Sequence, residues 1–115
     1  MTEFVRAIPA DLTDGDFRSA RIGARDVLIA MVSGTYCAIE DRCSHATTKL
    51  SEGYVEGDEA VCPLHGGRFN LISGECTGAP ASAPVETFAT RIVEDHVEVE
   101  LKPPRPLPAP QFGPI

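Results

Sequence analysis

The chain of 115 residues has no tryptophan and only two tyrosines and five phenylalanines. It has no apolar run of roughly 18 residues, so no stretch predicts a membrane-spanning helix. Its first residues, MTEFVRAIPADLTDGD, lack the basic start and apolar stretch of a secretory signal, and a cytoplasmic protein is expected. Positive charge is also scarce: ten Lys and Arg stand against seventeen Asp and Glu, a formal charge of −7. That balance excludes the clustered basic surface a phosphate-backbone binder needs. It suits a protein that meets its partners transiently under charge steering. Helical periodicity over three turns is missing too, and residues 9–15 have room for one short turn at most.

What is present reads as β structure in a single small domain. Short β-branched and apolar runs at 4–8, 17–22, 27–32, 35–40, 54–56, 60–62, 68–70, 87–93 and 96–101 are separated by Gly, Asp and Ser. Ser33-Gly34, Gly57-Asp58, Ser73-Gly74 and Glu94-Asp95 are residue types that accept the positive φ of tight hairpins. In the last run Val97, Val99 and Leu101 are expected to face inward, and His96, Glu98 and Glu100 to face water. Residues 42–83 depart from this pattern, being rich in Gly, Cys, His and Pro, as loops built around something would be. Residues 102–115 hold six of the ten prolines, which favours an extended tail, loose or lying along the body, that cannot add a central strand. Its PxxP spacings could also bind an SH3-like groove.

Four cysteines could form two disulfides, but in a reducing compartment Cys/His clusters are more often metal sites. Two blocks stand out: Cys43-Ser44-His45 and Cys62-Pro63-Leu64-His65, with sixteen residues between His45 and Cys62. Each offers one thiolate and one imidazole beside Gly or Pro. Two such loops meeting at their tips supply four ligands. That set suits tetrahedral zinc and equally a [2Fe–2S] cluster in which two His replace two Cys on one iron. The Cys-x-His spacing is tighter than that of zinc fingers. A two-iron cluster relaxes the constraint, because the ligands of one block can go to different irons.

Together with the residues downstream of them, the blocks resemble the Rieske binding motif. Gly66-Gly67-Arg68-Phe69-Asn70, Ser73-Gly74-Glu75 and Gly78-Ala79-Pro80-Ala81 extend the likeness. The run is similar to the ferredoxins that feed aromatic-ring-hydroxylating dioxygenases acting on biphenyl, toluene, naphthalene or carbazole. The resemblance implies an all-β Rieske fold, with antiparallel sheets as a base and a small cluster-binding subdomain at about 42–80. The Rieske domain would span 1–102 and the proline-rich tail 103–115. It implies one [2Fe–2S] cluster per chain, held by Cys43, His45, Cys62 and His65. The cysteines would take a buried iron, the histidines an outer iron at the tip, and the loop 78–81 would shield one side. It implies a one-electron carrier and not an enzyme, receiving electrons from a flavin-containing reductase and delivering them to a terminal oxygenase. The high-potential branch of the family carries an extra disulfide at positions matching Thr48 and Leu64, and Ser and Tyr donors at positions matching Gly67 and Phe69. Fewer hydrogen bonds to the cluster predict a potential near the low end of the Rieske range, about −150 mV.

Other readings of the same residues are a Rieske small subunit of an assimilatory nitrite reductase and a structural zinc module that binds another protein. Among the remaining residues, Cys37 and Cys76 are expected to be packing thiols and His96 a solvated side chain. Arg42, Lys49 and Arg68 flank the ligand blocks and serve either docking or solubility. Gly66 and Gly67 would bring backbone N–H groups toward the cluster, or form an ordinary turn.

Overall fold

The computed structural model describes residues 3–43, 48–64, 66–78 and 84–101. Among the described residues, eleven strands form three antiparallel sheets. β1 (Glu3–Pro9), β11 (His96–Leu101) and β10 (Thr90–Val93) form the first, in the order β1-β11-β10. β2 (Phe17–Ile22), β3 (Arg25–Val32), β4 (Thr35–Glu40) and β9 (Thr87–Phe88) form the second in that order. β5 (Tyr54–Glu56), β6 (Glu59–Val61), β7 (Arg68–Asn70) and β8 (Cys76–Gly78) form the third. A 3-10 turn, Leu50–Glu52, precedes the third sheet.

The arrangement follows from which faces each strand must bury. β3 is apolar on both faces, and the two-residue period of a strand divides its side chains between two cores. Val27 and Ile29 pack with Ile8, Tyr36, Phe88, Val97 and Val99 against the first sheet. Leu28, Ala30 and Val32 point the other way and pack with Ile39, Leu50, Phe69, Leu71 and Val85 toward the third. Each fully buried Leu, Ile or Phe contributes roughly 1.5–3 kcal/mol relative to an exposed one. The second sheet is therefore the middle layer, and the third sheet is mounted on its outer face.

The expected strands are present with small shifts. The run expected at 60–62 starts and ends one residue earlier, leaving Cys62 just beyond β6. The run at 87–93 divides into β9 and β10, which belong to different sheets, with Ala89 at the crossing. β8 and the 3-10 turn are not expected from sequence, because Cys-Thr-Gly and Leu-Ser-Glu carry no run of β-branched or apolar residues. Val97 and Val99 are fully buried as expected. The opposite face of β11 is only partly wet, since Glu98 is held by Arg91 at 2.8 Å. Ser33-Gly34 and Glu94-Asp95 take the expected positive φ, at 51° and 79° and at 51° and 62°. No described helix is long and apolar enough to cross a membrane.

Candidate metal centre

Cys43 follows β4 and Cys62 follows β6, so each thiol stands where a strand ends and the chain turns. Both are 1% exposed, and both belong to the core between the second and third sheets, with Leu50, Phe69 and Leu71. None of the four cysteines is in a disulfide. The two segments close alike. The Cys43 N–H donates to the Thr48 carbonyl at 2.9 Å, and the Cys62 N–H donates to the Gly67 carbonyl at 2.7 Å. In both the donor and acceptor stand five residues apart, so a Cys-x-His and a Cys-x2-His block occupy closures of equal size. His45, His65 and the loop residues 79–81 lie outside the described residues.

A residue that no sequence motif singles out brings the two segments together. Gly53, just after the 3-10 turn, lies so close to the third sheet that a Cβ there would overlap the Val61 carbonyl oxygen and stand 3.1 Å from Pro63 Cδ. The exit of the first loop thus packs directly on the backbone flanking Cys62. Asp41 belongs to no motif either. It is the one buried charged residue among those described, and it precedes Cys43 by two positions. Gly66 has φ +74°, with open space where a Cβ would stand. Its conformation is what calls for glycine, not close packing.

The cations flanking the site are not alike. Arg68 is gripped by Glu56 at 2.9 Å and Glu59 at 3.1 Å, with Gly78 against its stem. Lys49 stands 3.7 Å from Asp26. Arg42 is exposed and has no ion pair among the described residues. With Arg25, Asp26, Glu40, Asp41 and Lys49 it lines an open cleft of about 380 Å³ beside the first segment. Cys37 is half-buried in β4, and burial pushes its thiol pKa up, which fits a packing residue. His96 rests its Nδ1 3.1 Å from the Glu94 carbonyl.

Two buried thiols without a disulfide thus share one apolar core, each at the start of a closure of the same length. The Rieske [2Fe–2S] domain model matches residues 3–89. The chain belongs to the Rieske [2Fe–2S] domain family. Its cofactor is a Rieske-type [2Fe–2S] cluster, which decides between the two metals that the ligand types leave open. The ferredoxin component of biphenyl 2,3-dioxygenase from Rhodococcus jostii is 37% identical over 92 residues, covering 80% of this chain and 86% of its own length. That of the naphthalene 1,2-dioxygenase system from Pseudomonas putida is 30% identical over 92 residues, covering 80% and 88%. Among solved structures, the complex of reduced oxygenase and oxidised ferredoxin in carbazole 1,9a-dioxygenase contains a chain that superposes with a TM-score of 0.77. It is 34% identical and covers 83% of this chain and 99% of that one. The carbazole 1,9a-dioxygenase ferredoxin from Nocardioides aromaticivorans has a TM-score of 0.78 at 28% identity, covering 84% and 95%. These relatives are electron carriers, not catalysts, and this all-β Rieske chain is of the same kind.

Proposed function

We propose that this Rieske protein is the ferredoxin of an aromatic-ring dioxygenase system, taking single electrons from a flavin-containing reductase and passing them to a terminal oxygenase. Cys43, His45, Cys62 and His65 hold the cluster, with residues 42–80 as the cluster-binding subdomain and 103–115 as an appended tail. The observation that carries this reading is the shared burial of Cys43 and Cys62 in one core, each at the start of an equal hydrogen-bonded closure. The biphenyl and naphthalene relatives, and the carbazole system in which a ferredoxin is seen with its oxygenase, support the partner.

When bound, the cluster supplies a reversible one-electron change, from a neutral oxidised site to a reduced site with one extra negative charge. The protein's part is to bind and shield. The thiols of Cys43 and Cys62 would hold an iron from within the core they share with Leu50, Phe69 and Leu71. Leu64 is 45% exposed, which leaves the second segment's outer side open to a partner. Gly67 and Phe69 carry no hydroxyl, so the side chains at these positions donate no hydrogen bond to a sulfide. This supports a potential at the low end of the Rieske range, about −150 mV.

The test is preparative and spectroscopic. Anaerobically made protein should contain two irons and two acid-labile sulfides per chain and give a Rieske EPR spectrum on reduction. His65→Ala and Cys62→Ser should each abolish that spectrum, since losing a ligand also removes folding free energy. Variants that keep a full cluster with an unchanged spectrum would show the ligand set to be misassigned. A clearly positive midpoint potential would overturn the low-potential assignment.

A further inference from the structure

Asp41 is the one buried charged residue among those described, and the proposed ligand set leaves it unused. It is 1% exposed, and a carboxylate in such a place is costly unless its oxygens are satisfied. Here they are. The Ser51 N–H donates to Asp41 Oδ1 at 2.7 Å, the Ser51 hydroxyl to Oδ2 at 2.6 Å and the Ser19 hydroxyl to Oδ2 at 2.7 Å. The Asp41 N–H in turn donates to the Asp26 carbonyl on β3 at 2.9 Å.

These partners come from three places. Ser19 lies on β2 and Asp26 on β3, both strands of the middle sheet, while Ser51 lies in the 3-10 turn. Asp41 precedes Cys43 by two residues, and Ser51 follows Thr48 by three. One carboxylate thus joins the entry and exit of the first ligand segment and ties both to the base. Inside that join runs the Cys43–Thr48 hydrogen bond. Two residues past Ser51, Gly53 packs against the backbone that flanks Cys62.

We infer that Asp41 is a positioning residue of the metal centre, whose carboxylate holds the first ligand segment at a fixed height over the core so that Cys43 meets the cluster without rearrangement. The inference rests on the ligand assignment proposed above. An acceptor-only carboxylate matches this site, because a backbone N–H and two hydroxyls converge on it. Asparagine keeps the shape and one acceptor but turns a donor toward the two hydroxyls. Partners that orient metal ligands typically change metal affinity 10–100-fold when altered.

The experiment compares the wild-type holoprotein with Asp41→Asn, Ser51→Ala, the double variant and the distant control Glu98→Gln. Each is checked for intact β-sheet circular dichroism. Cluster lifetime under excess EDTA is then read from the visible absorbance, and the EPR line shape is read on reduction. Asp41→Asn should shorten the lifetime about tenfold or more and alter the line shape. Ser51→Ala should do so to a smaller degree, and the control should do neither. The double variant should be little worse than Asp41→Asn, because both remove parts of one join. A wild-type protein without iron and sulfide would refute the ligand assignment itself. A loaded wild type whose Asp41→Asn and Ser51→Ala forms keep the cluster as long, with the same line shape, would refute the positioning role alone. Should Asp41→Asn fail to fold, Ser51→Ala decides the matter by the same two readings.

Discussion

At the scale of single residues, the centre depends on atoms that cannot move aside. Gly53 is the clearest case. A methyl group there would overlap the Val61 carbonyl oxygen, and a backbone oxygen in a strand gives way only if β6 gives way. Gly53→Ala should therefore destabilise the protein by about 1–3 kcal/mol, the usual cost of overpacking. It should also speed cluster loss, because it pushes apart the segments carrying Cys43 and Cys62. The urea midpoint and the EDTA lifetime measure the two effects. Equal values for wild type and variant would mean that the contact is not kept in solution. The chain carries no sign of this contact, since Gly53 sits in a Ser-Glu-Gly run indistinguishable from an ordinary turn. Asp41 is equally hidden. An aspartate beside an arginine reads as surface, and only tertiary packing closes Ser19 and Ser51 over it.

At the scale of elements, the third sheet is made of three-residue strands and gains support from its side chains. Glu59 on β6 accepts from the Thr77 hydroxyl of β8 at 2.6 Å and from Arg68 of β7 at 3.1 Å, while Glu56 of β5 holds the same arginine. The Thr77 hydrogen bond, the largest cause, holds the Glu59 carboxyl below the usual carboxylate range together with the Arg68 guanidinium, although burial opposes them. A depressed folded-state pKa adds stability that is fully present above the unfolded value, about 4.3 for Glu. That stability is lost as pH falls through the lower folded value. Urea midpoints measured between pH 6 and pH 3 should thus fall less steeply for Glu59→Gln than for wild type. Parallel curves would remove Glu59 from the acid response. By its place in the sequence Arg68 is a candidate docking cation, but in the fold it fastens this sheet.

At the scale of the whole molecule, an acidic body leaves few positive charges to meet a partner, and the fold spends nearly all of those described. Every other described Lys and Arg lies within 4 Å of an acid, whereas Arg42, next to Cys43, forms no ion pair among the described residues. Exposed pairs are individually weak, but an arginine without one is the better placed to steer. Arg42→Glu should change the rate of electron transfer to the oxygenase severalfold at low ionic strength. The difference should shrink as salt screens it. Arg68→Gln should leave the salt dependence nearly unchanged. Stopped-flow rates across a salt series decide this, and identical slopes for wild type and Arg42→Glu would exclude Arg42 from the docking face.

The β class, most strand positions, the hairpin turns and the two Cys/His blocks were legible in the chain because they are local. Alternation, turn residues and ligand spacing each act over a few positions, and the backbone has few ways to obey them. Tertiary structure decided what depends on distant segments meeting. It split the 87–93 run between two sheets, because β9 must complete the second while β10 covers the first. It placed both cysteines in one core, set Gly53 against Val61, and buried a carboxylate under serines from two separate elements, β2 and the 3-10 turn. Such contacts leave no periodic trace, since their energy comes from packing and desolvation between residues that are neighbours only after folding.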